Sequence, residues 1–169
     1  MTAKDKQTTL IKSYIKPTLK QHGYQTSGQT WWKNRGDFFI IINLQNFTWN
    51  DKDDVNFCFN IGIALTAKLK DPQKKKAGYG DLTVNVREDF YLSTDRLEHK
   101  YRNKNGYLIG TETSFEDFKN ELSFDFERQI LPRLNSLKSL KDCLELYDSL
   151  VFWREHLKKK ISEHNISLD

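Results

Sequence analysis

The 169 residues carry a formal net charge of +4 and include 37% hydrophobic, 30% charged and 13% aromatic residues. This length predicts a single domain over residues 1–169. The aromatic content excludes a disordered chain, because disordered segments lack such core-building side chains. The longest apolar run, Phe38 to Ile42, is far shorter than the ~20 residues that a membrane-spanning helix needs.

The number of cysteines and the N-terminal residues indicate in which cellular compartment the protein is expected. Cys58 and Cys143 are too few for a disulfide framework, and the opening residues lack the apolar stretch of a signal peptide. We therefore expect a cytoplasmic protein in a reducing environment, without membrane association.

The pattern first predicts an amphipathic N-terminal helix. Thr8 or Thr9 is expected to cap its start and His22-Gly23 its end. Pro17 is expected to kink this helix or to divide it in two. The apolar residues recur at helical spacing and are Leu10, Ile11, Tyr14, Ile15 and Leu19.

An alternation of apolar and polar residues then predicts an antiparallel β-meander of about five to six strands. The first four strands are Thr30 to Lys33, Phe38 to Phe47, Val55 to Leu65 and Leu82 to Arg87. Asn105-Gly106 is a strong signal for a type I′ turn, so Leu97 to Tyr101 and Tyr107 to Ile109 are expected to form a last hairpin.

Helical periodicity returns in the last third of the chain. A cap at Ser114 is expected to begin a helix that runs to about Leu131, where Pro132 stops it. A final helix is expected from roughly Leu137 to Ser162. The order of elements predicts an α+β fold with an N-terminal helix, an antiparallel sheet and two C-terminal helices.

Several short motifs resemble a known family. They are Leu19-Lys20, His22-Gly23-Tyr24, Gly28, Trp31-Trp32, Gly36-Asp37, Ile42-Asn43-Leu44-Gln45, Trp49, Phe59-Asn60-Ile61-Gly62, Phe115 to Leu122 and Ile130-Leu131-Pro132. Together they resemble a bacterial family of domains of unknown function, number 4304, over most of the chain. The resemblance implies the fold but no activity, cofactor or catalytic residue. Phe47 stands where a small polar residue is expected.

Amide side chains recur on one face of the predicted sheet. The strand positions opposite the apolar residues carry Asn43, Gln45, Asn60, Asn85 and Arg87. Asparagine and glutamine are depleted in strands, and their amides donate and accept hydrogen bonds as peptide recognition requires. We therefore predict a non-enzymatic module that binds a protein or peptide partner through these residues, with Trp49 as the aromatic anchor.

Other interpretations of this sheet face stay open. One is that this face is only the solvated side that antiparallel sheets commonly have, and another is that Asn43 and Gln45 are buried and bonded to loop backbone. Gly62 would let a ligand or another backbone approach closely. Trp31 and Trp32 must point to opposite faces, so we expect one in the core and the other exposed or covered by a helix.

Basic residues support a second hypothesis, which is nucleic-acid binding. The segment from Lys68 to Lys76 and the final helix are both rich in lysine. Such residues bind phosphate groups in a salt-dependent way, although lysines on a loop are more often solvated. The residues of this alternative are Lys74, Lys75, Lys76, Lys158 and Lys159.

The sequence contains no recognised catalytic or metal-binding motif. The four histidines, His22, His99, His156 and His164, lack the spacing of a zinc site. We therefore expect no cofactor, no metal and no catalytic residue, and an enzyme with an unrecognised site is the third hypothesis. Exposed edge strands leave both a monomer and a dimer open.

Overall fold

One antiparallel sheet with helices packed against a single face makes up the protein, as the sequence predicted. The computed structural model describes the backbone of residues 1–169 and every side chain except that of Lys74. Its helices are α1 Ala3–Leu10, α2 Lys16–Gln21, α3 Phe115–Phe124, α4 Leu131–Asn135, α5 Leu140–Leu146 and α6 Val151–Glu163. Its strands are β1 Gln25–Ser27, β2 Thr30–Asn34, β3 Phe38–Asn46, β4 Asp54–Leu65, β5 Val84–Arg87, β6 Arg102–Asn103 and β7 Gly106–Gly110.

The twelve-residue strand β4 is the centre of the sheet. β3 pairs with β4 from Phe38 to Asn46 along one edge. The other edge is shared, because β5 pairs with Asn60 to Ile63 and β7 pairs with Asp54 to Phe57. Among the described residues, no helix is long and apolar enough to cross a membrane.

The helices cover the first face of the sheet, which we define as the face that carries Phe57, Phe59 and Ile61. Side chains of one strand alternate between faces, so these three residues point the same way. The Phe59 ring meets the Phe126 ring edge-on, with centroids 4.9 Å apart. Burial of each such ring stabilises the fold by about 1.5–3 kcal/mol, and the pattern of β4 therefore determines the side on which the helices pack.

The N-terminal helix begins earlier than predicted. Thr2 is the N-cap in place of the two threonines expected, because its hydroxyl accepts from the Asp5 amide at 3.1 Å. The Asp5 carboxylate in turn accepts from the Thr2 amide at 2.9 Å, and this capping box pairs two amides at the helix start. Pro17 lies at the start of α2, after a π-helical segment, Ile11–Ile15, that divides the helix.

Pro132 does not stop its helix, so that prediction is wrong. α3 continues through the π-helical segment Asp125–Ile130 into α4, which contains Pro132. A proline ring conflicts with the carbonyl group four residues earlier in an α-helix. The wider π-helical turn in front of Pro132 relaxes this conflict, and the helix continues to Asn135.

Two other predicted elements differ from the structure because side chains turn into the core. The predicted final helix is divided into α5 and α6, since the buried Tyr147 places its hydroxyl 2.8 Å from that of Tyr91. The predicted strand from Leu97 to Tyr101 is wrong, since β6 begins only at Arg102. The predicted type I′ turn at Asn105-Gly106 is wrong too, because Asn103 pairs with Gly106 and the two turn residues between them lack the positive φ of that turn type. Before β6 the chain forms the 3₁₀ turn Arg96–Glu98 instead. There Arg96 reaches the buried Asp125. The exposed edge strand β1 was missed because it has no apolar alternation.

We predict that Gly62→Ala destabilises the protein strongly. A methyl group at Gly62 would lie 1.7 Å from the carbonyl oxygen of Val84, so β5 must move away from β4. The expected loss in the free energy of unfolding is about 2 kcal/mol or more, measured by urea denaturation. Gly78→Ala is the control, because its nearest atom would lie at 3.9 Å, and a change of less than about 0.5 kcal/mol is expected. Equal losses in the two variants would contradict this account.

Candidate functional site

The second face of the sheet has an apolar half and a polar half. Trp32, Phe39, Ile41 and Ala64 form a small apolar cluster that packs against Leu69 and Ala77 of the 66–83 loop. Trp32 is therefore covered by a loop and not by a helix, whereas Trp31 belongs to the core on the first face. The rest of the second face lies beyond this loop.

Strand register brings three of the predicted site residues into one row on the polar half. Thr30 pairs with Asn43, Asn43 with Asn60, and Asn60 with Arg87, across β2, β3, β4 and β5. Residues opposite each other in antiparallel strands point to the same face. We term this row, together with Gln45 and Phe47, the amide face.

Asn60 is the centre of a hydrogen-bond network on the amide face. Its Nδ2 amino group donates to Asn43 Oδ1 at 3.2 Å and to Gln45 Oε1 at 2.9 Å, and Asn43 Nδ2 donates to Thr30 Oγ1 at 2.9 Å. Asn60 is only 4% exposed, so it positions its neighbours and is not itself accessible to a partner. This corrects the prediction of direct recognition by Asn60.

Gln45 and Asn43 are half-buried. Their hydrogen bonds differ from the alternative in which both are buried and bonded to loop backbone. Both accept from the Asn60 side chain, and among the side chains that the structure describes neither of these two bonds to loop backbone. In the described part of the chain, the Nε2 amino group of Gln45 has no acceptor. Since an amide N–H without a partner gains from a hydrogen bond, Gln45 is the free donor of the amide face.

Arg87, Phe47 and Trp49 form a stack beside the amide network. The Arg87 guanidinium lies over the Phe47 ring, 5.5 Å from its centroid. The Trp49 indole lies parallel to the same ring, with centroids 4.7 Å apart. Trp49 is nevertheless 61% exposed. Phe47, the residue that departs from the expected family pattern, therefore connects the cation to the exposed indole.

The Arg87 side chain crosses the central strand to reach Phe47. Arg87 lies on β5 and Phe47 follows β3, and β4 runs between these two strands. Cys58 of β4 is completely buried and lies within electrostatic reach of Arg87. Burial raises the pKa of the Cys58 thiol to about 11, so the sulfur is protonated near neutral pH and is a poor nucleophile.

Asn85 lies at the border between the two halves of the second face. It pairs with Gly62 in the register, and its Nδ2 amino group donates to the hydroxyl of Tyr79 at 3.3 Å. Tyr79 belongs to the 66–83 loop. Asn85 therefore connects the loop to β5, and the close approach that Gly62 permits is that of the β5 backbone.

The lysines of the nucleic-acid alternative lie on the 66–83 loop and on α6. Lys75 and Lys76 are exposed, and the Lys74 side chain lies outside the described part. The Lys158 ammonium is 3.7 Å from Glu155, and that of Lys159 is 4.0 Å from Glu163. Much of the positive charge on α6 is therefore offset by neighbouring glutamates.

A buried ionic cluster lies on the first face, and no sequence motif indicated it. Asp125 is completely buried and accepts from Arg96 Nε at 2.7 Å and from the Tyr107 hydroxyl at 2.8 Å. His99 Nε2 lies 3.0 Å from the same carboxylate. Burial alone would raise the pKa of Asp125, but the hydrogen bonds from His99, Arg96 and Tyr107 lower it. The available signal was an aspartate on the apolar stripe of the third helix.

His99 offers no free base, although it is paired with a carboxylate as in many active sites. The backbone amide of Tyr101 donates to His99 Nδ1 at 3.3 Å, and Nε2 faces Asp125. These partners make Nδ1 the acceptor and Nε2 the donor to Asp125. Both ring nitrogens are therefore used within the protein, and the cluster holds the 96–101 segment against the third helix.

Glu88 occupies the gap between β5 and β7 on the edge of β4. It is buried, and its carboxylate lies 3.4 Å from the Arg102 guanidinium, which itself lies over the Tyr107 ring. Burial raises the pKa of Glu88 to about 7, although Arg102 and the backbone amides of Glu88 and Phe59 oppose this shift. Burial dominates because the contact with Arg102 is long and the carboxylate has lost its water.

One known protein family matches the part of the chain that contains these residues. The model of a family described as "Domain of unknown function (DUF4304)" matches residues 15–136. The chain belongs to the DUF4304 family. This assignment confirms the resemblance seen in the sequence. No curated protein matches the chain, and no solved structure does.

The part of the chain that matches DUF4304 contains all seven strands of the described backbone. It therefore includes the amide face, Trp49 and the buried ionic cluster. α5 and α6 follow the matched residues, so Lys158 and Lys159 lie outside them. The amide face therefore lies within the residues that match DUF4304, whereas two lysines of the nucleic-acid alternative, Lys158 and Lys159, lie outside them.

We predict that ionisation of Glu88 destabilises the DUF4304 fold as pH rises. The pKa of Glu88 in the folded state, about 7, is above the ordinary value of 4.5, so the folded state holds the proton more tightly. Stability is therefore highest below pH 4.5 for this group and falls as pH rises towards 7, by about 3 kcal/mol. The measurement is the free energy of unfolding against pH.

Glu88→Gln removes this titration and should flatten the fall in stability between pH 4.5 and 7. Glu145→Gln on the exposed side of α5 is the matched control and should keep the wild-type slope. The same slope in wild type and Glu88→Gln would refute the role of Glu88.

Trp49 is expected to account for most of the tryptophan emission that acrylamide quenches. Trp31 and Trp32 are buried and Trp153 is half-buried, whereas Trp49 is exposed. Trp49→Phe should therefore lower the quenching constant, and Trp153→Phe should lower it less. Unchanged quenching in Trp49→Phe would show that the indole is covered.

Proposed function

We propose that this DUF4304 protein is a non-enzymatic binding module for a protein or peptide segment, which it holds on the amide face beside Trp49. The exposed Trp49 indole, stacked on a Phe47 ring that also carries Arg87, is the observation that supports this proposal. Tryptophan and arginine are enriched among the residues that dominate binding energy in protein interfaces.

The three outward groups suggest the chemistry of the partner. Trp49 offers a flat apolar surface, Gln45 a free amide donor and Arg87 an exposed cation. A peptide segment supplies matching groups when an apolar side chain lies close to a backbone carbonyl and a carboxylate. We therefore propose a partner segment with an apolar or aromatic residue next to an acidic one.

Preorganisation supports binding at this position. Asn60 holds Asn43 and Gln45, and the Phe47 ring restricts both Arg87 and Trp49. Binding costs less conformational entropy when interface side chains are already ordered. A planar guanidinium on an aromatic ring is ordered in this way and keeps its donors for the partner.

The two alternatives have less support from the described residues. The lysines proposed for nucleic acid lie partly outside the DUF4304 match, and those of α6 lie near glutamates. An enzyme would need an accessible nucleophile or base. Cys58 beside the amide face is buried and its pKa is raised, and the polar groups of the amide face itself are amides, a guanidinium and the Thr30 hydroxyl, which accepts a hydrogen bond from Asn43.

The two cysteines also bear on the location. Cys58 and Cys143 are buried and free. Since oxidising compartments favour disulfides in small proteins, we retain a cytoplasmic location as part of the proposal.

A displayed peptide library tests the proposed function. Wild type should enrich peptides that combine an apolar residue with an acidic one, and the best peptides are then measured by calorimetry. Trp49→Ala and Arg87→Ala should each weaken binding about tenfold or more, as for central interface residues. Phe152→Ala is the matched control, because Phe152 on α6 is 71% exposed but lies elsewhere.

Two results would overturn the proposal. Wild type that enriches no peptide motif would exclude peptide recognition by this domain. Equal affinity of wild type and Trp49→Ala, or an equal loss in Phe152→Ala, would move the binding site away from the amide face.

A further inference from the structure

A cavity of about 590 Å³ lies between α2 and β1, away from the amide face. Its walls include Pro17 of α2, the Tyr24 ring and the Trp31 indole. Trp31 points to the first face of the sheet and Trp32 to the second, so the cavity and the amide face are on opposite sides of β2. The volume is within the range of small-molecule sites, about 300–1,000 Å³.

The local chain path explains why this cavity exists. α2 ends at Gln21, and the chain reverses through Gly23, whose φ of +87° suits glycine. β1 then pairs with β2, where Thr26 lies opposite Trp31. This reversal leaves the end of the helix and the edge strand side by side, with the Trp31 indole between them.

The floor of the cavity is apolar. Tyr24 and Trp31 are both buried in the fold. The Tyr24 hydroxyl lies within electrostatic reach of Tyr91 in the core, and burial is the main cause that raises its pKa. The Tyr24 hydroxyl is itself buried, so the cavity does not meet the polar end of this residue. An apolar group placed there gains free energy from the water-exposed area it loses.

The rim of the cavity is positively charged without local compensation. Lys16 and Lys20 are one helical turn apart, exposed and part of the cavity wall. Lys33 reaches the same Tyr24 ring, with its ammonium 5.9 Å from the ring centroid. Within the described side chains, no carboxylate lies within 4.0 Å of these three lysines. By contrast, Lys119 and Lys160 each lie close to a glutamate.

The Lys33 ammonium shows the effect of this arrangement. Its pKa is lowered, first by burial and then by repulsion from Arg35. An anion bound nearby would oppose both effects, because it stabilises the charged form of each neighbouring lysine.

We propose that this cavity binds a small amphipathic anion that has an apolar chain and one carboxylate group. The apolar chain lies against Pro17, Tyr24 and Trp31, and the carboxylate lies between the ammonium groups of Lys16 and Lys20. This site is separate from the peptide-binding surface. The combination of an apolar floor and an uncompensated cationic rim favours such a ligand over neutral or cationic molecules of the same shape.

Octanoate is the probe that tests this proposal. Titration of the full-length protein, followed by calorimetry and by the emission of the buried Trp31, should show saturable binding with a Kd in the range of about 10 μM to 1 mM. Butyrate should bind about tenfold more weakly or worse, because it buries fewer methylene groups. Octylammonium should show no saturable binding.

Charge-reversed variants locate the site. Lys16→Glu/Lys20→Glu should weaken octanoate binding about tenfold or more, as expected when two attractive charges become repulsive. Lys4→Glu is the matched control, because Lys4 is an exposed lysine of α1 outside the cavity. Thermal unfolding checks that both variants fold. Trp49→Ala should bind octanoate like wild type, which separates this site from the proposed peptide site.

Any of three results would overturn the proposal. These are no saturable signal up to about 10 mM octanoate, equal binding of octylammonium, or the same loss in Lys4→Glu as in the double variant. A loss of octanoate binding in Trp49→Ala would place the anion on the amide face instead.

Discussion

The pairing of β4 on both edges is the constraint on which the rest of the structure depends. Its alternation directs Phe57, Phe59 and Ile61 towards the helices and Asn60 towards the opposite side. Because a strand cannot shift by one residue without exchanging its two faces, the buried phenylalanines hold the amide row in position. The stability of the hydrophobic core and the geometry of the candidate site are therefore consequences of one register.

Two buried carboxylates, Glu88 and Asp125, connect parts of the fold that strand pairing does not join. Two strands share one edge of β4, and Glu88 lies in the gap between them with its carboxylate near the Phe59 amide. Asp125 similarly collects hydrogen bonds from Arg96, His99 and Tyr107 and ties the 96–101 segment to the third helix. Buried charges of this kind need several partners to offset their desolvation. In this protein such charges connect elements, while the outward-facing groups are amides, an indole and a guanidinium.

The two tryptophans of β2 lie on opposite faces of the sheet. Trp31 forms the floor of a cavity with a cationic rim on the first face, and Trp32 lies under the 66–83 loop on the second. The loop covers the apolar half of the second face, and its Tyr79 meets Asn85 at the border with the polar half. A peptide segment on one face and a small anion on the other are thus compatible with the same rigid sheet.

The sequence by itself determined the order of elements and the face on which the β4 phenylalanines lie, because these depend on residues within a few positions of each other. It also identified Trp49, Arg87 and the amides as one group. Tertiary structure decided that Asn60 is buried, that Arg87 crosses β4 to reach Phe47 and that His99 meets Asp125, 26 residues further along the chain. It likewise decided that α3 continues through a π-helical segment past Pro132. Local periodicity cannot carry this information, since such contacts depend on which distant segments the folded chain brings together and on how much water their packing removes.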